Sequence, residues 1–312
     1  MLAKIARNNM HRTVLLQEVI DGLNLTGKST VVDGTFGGGG HSLEICRRYP
    51  GHAKGQAGIK IIALDQDKNT FKNAKDKFAD LNCDISFINE NFRNIDKVIE
   101  AEGIEKIDGI IFDLGLSSDQ LEDSGRGFSF MKDEPLLMTM KENPSPEDIT
   151  ALDVVNTWEE KNLADIIYGY GEEQFARRIA RGIVGARKRA EIKTTFDLVK
   201  VIEESVPNFY RKGRIHFATK TFQAIRIAVN DELGALGEGL EKSFKMLQTG
   251  GRLAVISFHS LEDRIVKRFY KKKEKEGEAR LINKKPVRAS VEEIKNNPRS
   301  RSAKLRILEK IK

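Results

Sequence analysis

Val31-Val32-Asp33-Gly34-Thr35-Phe36-Gly37-Gly38-Gly39-Gly40-His41 decides the reading of this chain. A short β-branched run ends in Asp33, four consecutive glycines follow, and Ser42-Leu43-Glu44-Ile45 can begin a helix. Glycines in a strand-to-helix turn let the backbone take positive φ angles and approach a ligand closely. The N–H groups at the start of the helix have no partners within it and favour an anionic or polar group on that ligand.

Working outward, short apolar runs predict strands at 30–33, 60–65, 84–89 and 108–113, and helical patterns at 13–23, 69–81 and 95–102 separate them. This βαβα order implies a parallel sheet covered on both faces. Ligands bind such sheets beyond the carboxyl ends of the strands. Asp33, Asp65 and Asp113 all fall at such ends. The alternation stops after Asp113. Helices are expected over 146–156, 159–168, 172–190 and 195–206, the first opened by Ser145-Pro146-Glu147-Asp148, which has the look of a helix start. A long helical pattern spans 219–247 and ends at Gly250-Gly251; a buried strand follows at 253–257, and 304–310 reads as a last, edge strand. The expectation is an α/β, Rossmann-like core over 1–118 and 218–312, interrupted by an all-helical domain over 119–217. The charge-rich stretch 271–285 reads as loosely held.

A length of 312 residues allows an ample core, and a formal net charge of +7 suits a polyanionic partner. Cys46 and Cys83 fit neither metal-ligand spacing nor a disulfide framework, which points to a reducing compartment. No apolar run approaches the roughly 18 residues of a membrane span, and residues 1–11 lack the apolar stretch of a signal peptide. A cytoplasmic protein is expected.

Gly22-Leu23-Asn24-Leu25-Thr26-Gly27-Lys28-Ser29 matches the phosphate-loop pattern. That mechanism needs a strand before the loop and a helix after it. Here a helix precedes and a strand follows, so the match is read as chance, with Gly22 ending the helix. The turn after Asp33 has the right context, although a strict G-x-G-x-x-G is absent, and it could serve NAD, a flavin or S-adenosylmethionine. Asp65, closing the next strand, can accept from both ribose hydroxyls of an adenosine; a helix cap is the plain alternative. Arg126-Gly127-Phe128-Ser129-Phe130 sets a cation beside aromatic rings, on which unpaired bases can stack; for each ring separately, packing within the fold is favoured. Ser257-Phe258-His259-Ser260-Leu261-Glu262-Asp263-Arg264 follows the later strand and brings His259 to the mouth of the sheet. Basic clusters at Arg177-Arg178, Arg187-Lys188-Arg189, Arg211-Lys212, 271–273 and 299–304 together favour contact with an RNA backbone. A nucleotide hydrolase, an NAD-linked oxidoreductase and a catalytically silent RNA-binding module are the rival classes.

With these residues in hand, the chain resembles the bacterial 16S ribosomal RNA cytosine-N4 methyltransferase family. The resemblance runs along nearly the whole length. It rests on 33–42, on Asp113-Leu114-Gly115 with Ser117-Ser118 and Gln120-Leu121, on 126–130, on 221–233, on 257–264 and on 297–304. It implies a Rossmann-like class I methyltransferase core, an inserted helical substrate domain, S-adenosylmethionine as methyl donor and no metal. It also implies a decoding-site cytidine of 16S RNA as target, within the small subunit or a late assembly intermediate, and leaves a homodimer open. Cofactor contacts carry over to Gly39, Gly40, His41, Asp65, Phe92, Asp113 and Gln120. Thr13 and Phe217 stand where the family pattern has Pro, and Leu137 and Thr139 where it has Asp and Arg.

The expected reaction is in-line transfer of the sulfonium methyl to the cytosine amine. That amine is a poor nucleophile because its lone pair is delocalised into the ring. Acceptors that hold its N–H groups turn the lone pair toward the methyl group. Asp113, or a backbone carbonyl of 114–118, is the first choice for this, with Ser117, Ser118 and His259 as further base-holding or proton-accepting groups. Attack by a cysteine is not expected, since neither Cys46 nor Cys83 falls at the cleft.

Overall fold

A computed structural model describes residues 12–50, 58–72, 74–81, 83–122 and 124–312. Residues 1–11, read above for a signal sequence, lie outside the described residues. Along the chain run α1 (Leu16–Leu23), β1 (Thr30–Asp33), α2 (Gly40–Arg48), β2 (Lys60–Leu64), α3 (Ala74–Ala79), β3 (Asp84–Ile88), α4 (Ile95–Ala101) and β4 (Ile107–Asp113). Then follow α5 (Ser118–Glu122), α6 (Ala151–Thr157), α7 (Glu160–Gly169), α8 (Ala176–Arg187), α9 (Thr195–Ser205), α10 (Asn208–Arg211), α11 (Thr219–Asn230) and α12 (Glu232–Met246). The chain closes with β5 (Leu247–Ser257), α13 (Ser260–Lys275), β6 (Ala279–Leu281), α14 (Val291–Asn296) and β7 (Lys304–Lys310).

The strands form one sheet in the order β3-β2-β1-β4-β5-β7-β6. β1 to β5 pair in parallel, and β7 runs antiparallel to both β5 and β6. This is the Rossmann-like class I methyltransferase arrangement. The order reverses between β1 and β4, the switch point at which open α/β sheets leave a crevice beyond the strand ends. Val31, Val32, Ile61, Ile62, Ile110 and Ile111 have no exposed surface, as strands covered on both faces require.

Two compact units emerge from the packing: 1–65 with 70–115 and 238–312, and 66–69 with 116–237. The first holds the sheet. One of its cores packs Leu15 just before α1, Val19 and Ile20 of α1, Ile45 of α2 and Phe78 of α3 on the strands. Its carboxyl-terminal hairpin is pinned by Asp263, which accepts from Arg306 Nε at 2.7 Å and Lys304 Nζ at 3.0 Å. The second unit is helical and builds its own core from Leu136, Val154, Leu163, Ile179, Ile183, Leu198, Ile202 and Phe222. α6 and α9 begin at capping boxes, Thr150 with Asp153 and Thr194 with Asp197. α11 and the first residues of α12 belong to this unit, whereas the sequence reading gave 218 onward to the sheet domain.

Several expectations are corrected. β7 lies between β5 and β6, so the edge is β6, a strand too short and too charged to show in the sequence. Residues 271–285 are not loose, since they hold the end of α13 and all of β6. The Ser145-Pro146 helix start is a turn: Asp148 Oδ2 accepts from Ser145 N–H at 2.8 Å, and α6 waits for Thr150. The 219–247 helix breaks at Asp231, which takes φ 46°. α1 ends at Asn24, left-handed at φ 52°, rather than at Gly22. The helix before and strand after Gly27-Lys28 are as expected, which leaves no phosphate loop there.

Cys46 and Cys83 are joined in a disulfide with Cα atoms 5.5 Å apart. Their separation of 37 residues carries no framework signature, and only the packing of α2 beside the entry to β3 brings them together. The cysteine argument for a reducing compartment falls with this pairing. Closing a loop of this length restricts the unfolded chain, so reduction should lower the unfolding free energy by about 2–4 kcal/mol. Denaturant unfolding with and without a thiol reductant measures this, and coincident curves would refute a stabilising bond.

Candidate active site

The glycine turn is shaped by close packing. Gly34 lies against the Phe112 ring and Gly39 against Phe36, so closely that a Cβ at either position would overlap the ring. Gly37 and Gly39 take φ of 49° and 73°, and Gly39 caps the start of α2. Gly40 abuts the Thr13 hydroxyl with no room for a side chain. Gly34 N–H donates to Ile111 O and Phe36 N–H to Leu64 O, each at 2.9 Å, so the turn is tied to the ends of β4 and β2.

Asp65 follows β2 and points back to the turn: its Oδ2 accepts from Gly37 N–H at 2.8 Å. The carboxylate is thus oriented by the glycine loop, and its backbone carbonyl accepts from Asn89 Nδ2 at 2.8 Å. Phe92, after β3, is nearly buried; its ring is tilted on Phe112 at 4.7 Å and touches Gly239, where any Cβ would clash.

Asp113 ends β4. Its N–H donates to Thr35 Oγ1 at 2.6 Å, and its Oδ2 lies 3.8 Å from Nδ1 of His41, a buried residue in the first turn of α2. Its Oδ1 is buried with no hydrogen-bond partner among the described residues. Burial raises the Asp113 carboxyl to a pKa of about 8, helped by the negative charges of Asp33 and Glu262. Asp33 is itself buried and raised to about 6 by desolvation, against which the hydroxyl of Ser42, donating at 2.7 Å, stabilises the anion. The sheet unit therefore gathers Gly39, Gly40, His41, Asp65, Phe92 and Asp113 around the ends of β1, β2 and β4.

His259 sits just past the end of β5 but is engaged as the cap of α13. Its Nδ1 accepts from Glu262 N–H, while Glu262 Oε2 accepts from the N–H groups of His259 and Phe258. Its Nε2 lies 3.1 Å from Glu262 Oε1, poorly aligned for a hydrogen bond. Ser117 and Gln120 likewise cap α5 reciprocally: Ser117 N–H donates to Gln120 Oε1 at 3.0 Å and Gln120 N–H to Ser117 Oγ at 3.2 Å. Ser118 is the first residue of α5. Two residues here had no assigned role in the sequence reading: Asp33, noted only as a strand end, and Glu262. The His259-x-x-Glu262 spacing of a capping box was the available signal for the second.

The Arg126–Phe130 motif is not an open stacking surface. Arg126 is buried and ion-paired with Asp67, donates to the carbonyls of Thr139 and Met140, and lies over the buried Phe128 ring. Phe130 stacks on His216 at 4.5 Å. The motif braces the loop that carries Leu137 and Thr139.

A family model described as the MraW methylase family matches residues 8–311. A protein of Clostridium botulinum (strain Kyoto / Type A2) named ribosomal RNA small subunit methyltransferase H is 46% identical over 317 residues, covering 96% of this chain and 99% of its own length. Proteins of the same name from Ruminiclostridium cellulolyticum and Paenibacillus sp. are 43% and 41% identical, each over 96% of this chain and 99% of its own length. Among solved structures, an rRNA methylase from Streptococcus thermophilus aligns with TM-score 0.44 at 13% identity, covering 97% of this chain and 99% of that one; this likeness is too remote to carry an argument.

The Asp113 carboxyl has a consequence for stability. Its pKa is about 8 in the folded chain and 3.8 when unperturbed, so between those values the folded state holds a proton that the unfolded state has lost. Stability therefore falls as pH rises from about 4 to about 8, and Asp33 contributes in the same direction up to about 6. Asp113→Asn removes the larger part of this slope. Its melting temperature should exceed the parent's by several degrees at pH 8, and the gap should shrink toward pH 5. A constant gap across that range would overturn the assignment.

Proposed function

The chain belongs to the MraW methylase family, and from that premise we propose that it methylates the exocyclic N4 amine of a cytidine in the decoding region of 16S ribosomal RNA. In coarser terms the activity is S-adenosylmethionine-dependent methylation of ribosomal RNA. The observation that carries the finer reading is the half-buried Asp113 carboxyl, with its buried and unsatisfied Oδ1, beside a glycine turn at the switch point of the sheet.

The residues present fit the donor. At Gly39 and Gly40 side chains are excluded, so a ligand can approach the backbone of the turn, and Asp113 Oδ1 offers a buried acceptor whose ionisation a neighbouring positive charge would favour. When bound, S-adenosylmethionine supplies an activated methyl group on a sulfonium centre. In this reading Gly39, Gly40 and His41 receive the amino-acid end, and Asp65 accepts from the ribose hydroxyls. Phe92 lies along the adenine. Gln120 adds a polar contact beyond β4.

Asp113 is the group that does the chemical work on the acceptor. As an anion it would accept an N–H of the cytosine amine and turn the nitrogen lone pair out of conjugation. It would stabilise the positive charge that develops as the nitrogen–carbon bond forms and the carbon–sulfur bond breaks, and take up the displaced amine proton. Ser117, in the loop after β4, helps to hold the base. His259 positions that end of the site through Glu262 and the start of α13. Alignment does most of the rest, because the leaving group is already activated. The base has to be unpaired or flipped to reach the site.

Three measurements test this. Transfer of labelled methyl groups to small ribosomal subunits, followed by nucleoside mapping, should place the label on cytosine N4; label on a ring carbon or a ribose would overturn the reading. Asp65→Ala should weaken S-adenosylmethionine binding about tenfold or more, the loss of charge-assisted hydrogen bonds of roughly 1.5–3 kcal/mol, and NAD should not bind the parent; unchanged affinity would remove the ribose role. A cationic ligand beside a carboxyl with pKa about 8 displaces its proton. Calorimetry near neutral pH in buffers of different ionisation enthalpy should therefore show proton release with S-adenosylmethionine and less with S-adenosylhomocysteine, whose sulfur carries no charge. Equal release with both would place Asp113 away from the sulfonium.

A further inference from the structure

The helical unit is not itself basic, and this makes its basic surface informative. Between 116 and 237 the chain carries 17 Lys and Arg against 20 Asp and Glu. Within that span two stretches hold no acid at all. Residues 174–190 hold six cations and residues 205–230 hold five. Fold contacts join the two stretches at one corner. Phe175, preceding α8, sets its ring 4.9 Å from Tyr210 and 6.3 Å from Phe209 of α10. The Arg178 guanidinium lies 5.8 Å over the same Phe175 ring.

The corner divides its residues sharply between those that hold the fold and those that face water. Tyr210 is turned inward, its hydroxyl donating to the buried Glu173, and Arg211 donates to Val206 O. Phe209 beside them is 72% exposed, an aromatic ring on a fixed backbone with no fold to support. Lys212 and Arg214 follow, both exposed. Among the described residues no hydrogen bond or ion pair engages the side chains of Arg177, Arg178, Lys212 or Arg214. The basic clusters of the sheet unit differ: Lys272 pairs with Glu241, Lys273 with Glu276 and Glu278, and Lys304 with Asp263.

We propose that Phe209, with Arg178, Lys212 and Arg214, is an RNA-docking platform on which an unpaired nucleotide of the ribosomal RNA stacks while the cations hold its phosphates. An exposed ring supplies the sequence-tolerant contact that a base offers on its face, and unpaired guanidinium and ammonium groups supply the backbone contacts. A membrane surface or an acidic protein would use the cations but give the rigid aromatic face no planar partner. The platform rests on the ribosomal RNA reading given above and adds to it a point of attachment carried by the helical unit.

The test uses the full chain with small ribosomal subunits lacking the modification. Phe209→Ala and the double variant Lys212→Glu with Arg214→Glu should each raise KM for the subunit at least fivefold. kcat, the affinity for S-adenosylmethionine and the melting temperature should stay at parental values. Phe209→Tyr and Lys212→Arg should restore KM, and the double variant should show a shallower salt dependence of subunit binding. Naked 16S RNA should report the same losses. KM within twofold of the parent, or a loss seen with subunits but not with naked RNA, overturns the proposal, the latter pointing to a ribosomal protein as the partner. If the parent chain transfers no methyl group to subunits or RNA, the underlying activity fails first, and that outcome is read from the parent alone.

Discussion

The turn between β1 and α2 is packed so tightly that its side chains had to be given up. Gly34 lies on Phe112, Gly39 on Phe36 and Gly40 on Thr13, each without space for a Cβ. This close approach fixes the path of the chain at the switch point of the sheet and brings backbone N–H groups toward whatever occupies the crevice. The neighbouring features depend on it. Asp65 is aimed by the Gly37 N–H, Thr35 is placed to accept from Asp113, and Ser42 in the first turn of α2 is placed to hold Asp33.

The same tightness creates an electrostatic cost. Asp33, Asp113 and Glu262 share a poorly solvated region, and only some of their oxygens are satisfied by donors from the fold. A fold selected for stability alone would not keep Asp113 there, because an apolar residue or an amide would avoid the penalty. Burial that raises a carboxyl to about 8 becomes useful when a positive charge and an amine donor arrive together, since both favour the anion at the moment it is needed.

Much of the sheet was legible from sequence because β1 to β4 are short runs with apolar centres bounded by polar and turn residues. Each of their boundaries falls within one residue of its prediction. Legibility failed where local signals competed with long-range contacts. Ser145-Pro146-Glu147-Asp148 has every mark of a helix start, yet Asp148 closes a turn on Ser145 and the apolar stripe begins only at Ala151. The helical period through 219–247 is unbroken in sequence, and nothing local marks Asp231 as left-handed. The disulfide depends on where α2 meets the entry to β3, which no spacing rule encodes. At the site, Gly39, Asp65 and Asp113 were readable as strand-end and turn residues. The engagement of Ser117, Gln120 and His259 in helix caps was not, since a polar residue after a strand looks the same whether it faces a ligand or a backbone N–H.

The helical unit shows the converse error and its remedy. Arg126 and Phe128 carry the residue types of a nucleic-acid contact, but the fold consumes them: a buried ion pair with Asp67 and two carbonyl acceptors leave the guanidinium nothing to offer a phosphate. Composition identifies which residues could bind RNA, and only the satisfaction of each group decides which are available. By that criterion Arg178, Lys212 and Arg214 differ in kind from Arg126, because among the described residues no hydrogen bond or ion pair engages their side chains, and Phe209 beside them is largely exposed. A unit with more acids than bases that leaves several unengaged cations together at one corner concentrates its attraction for a polyanion there, which orients an approaching RNA as well as binding it.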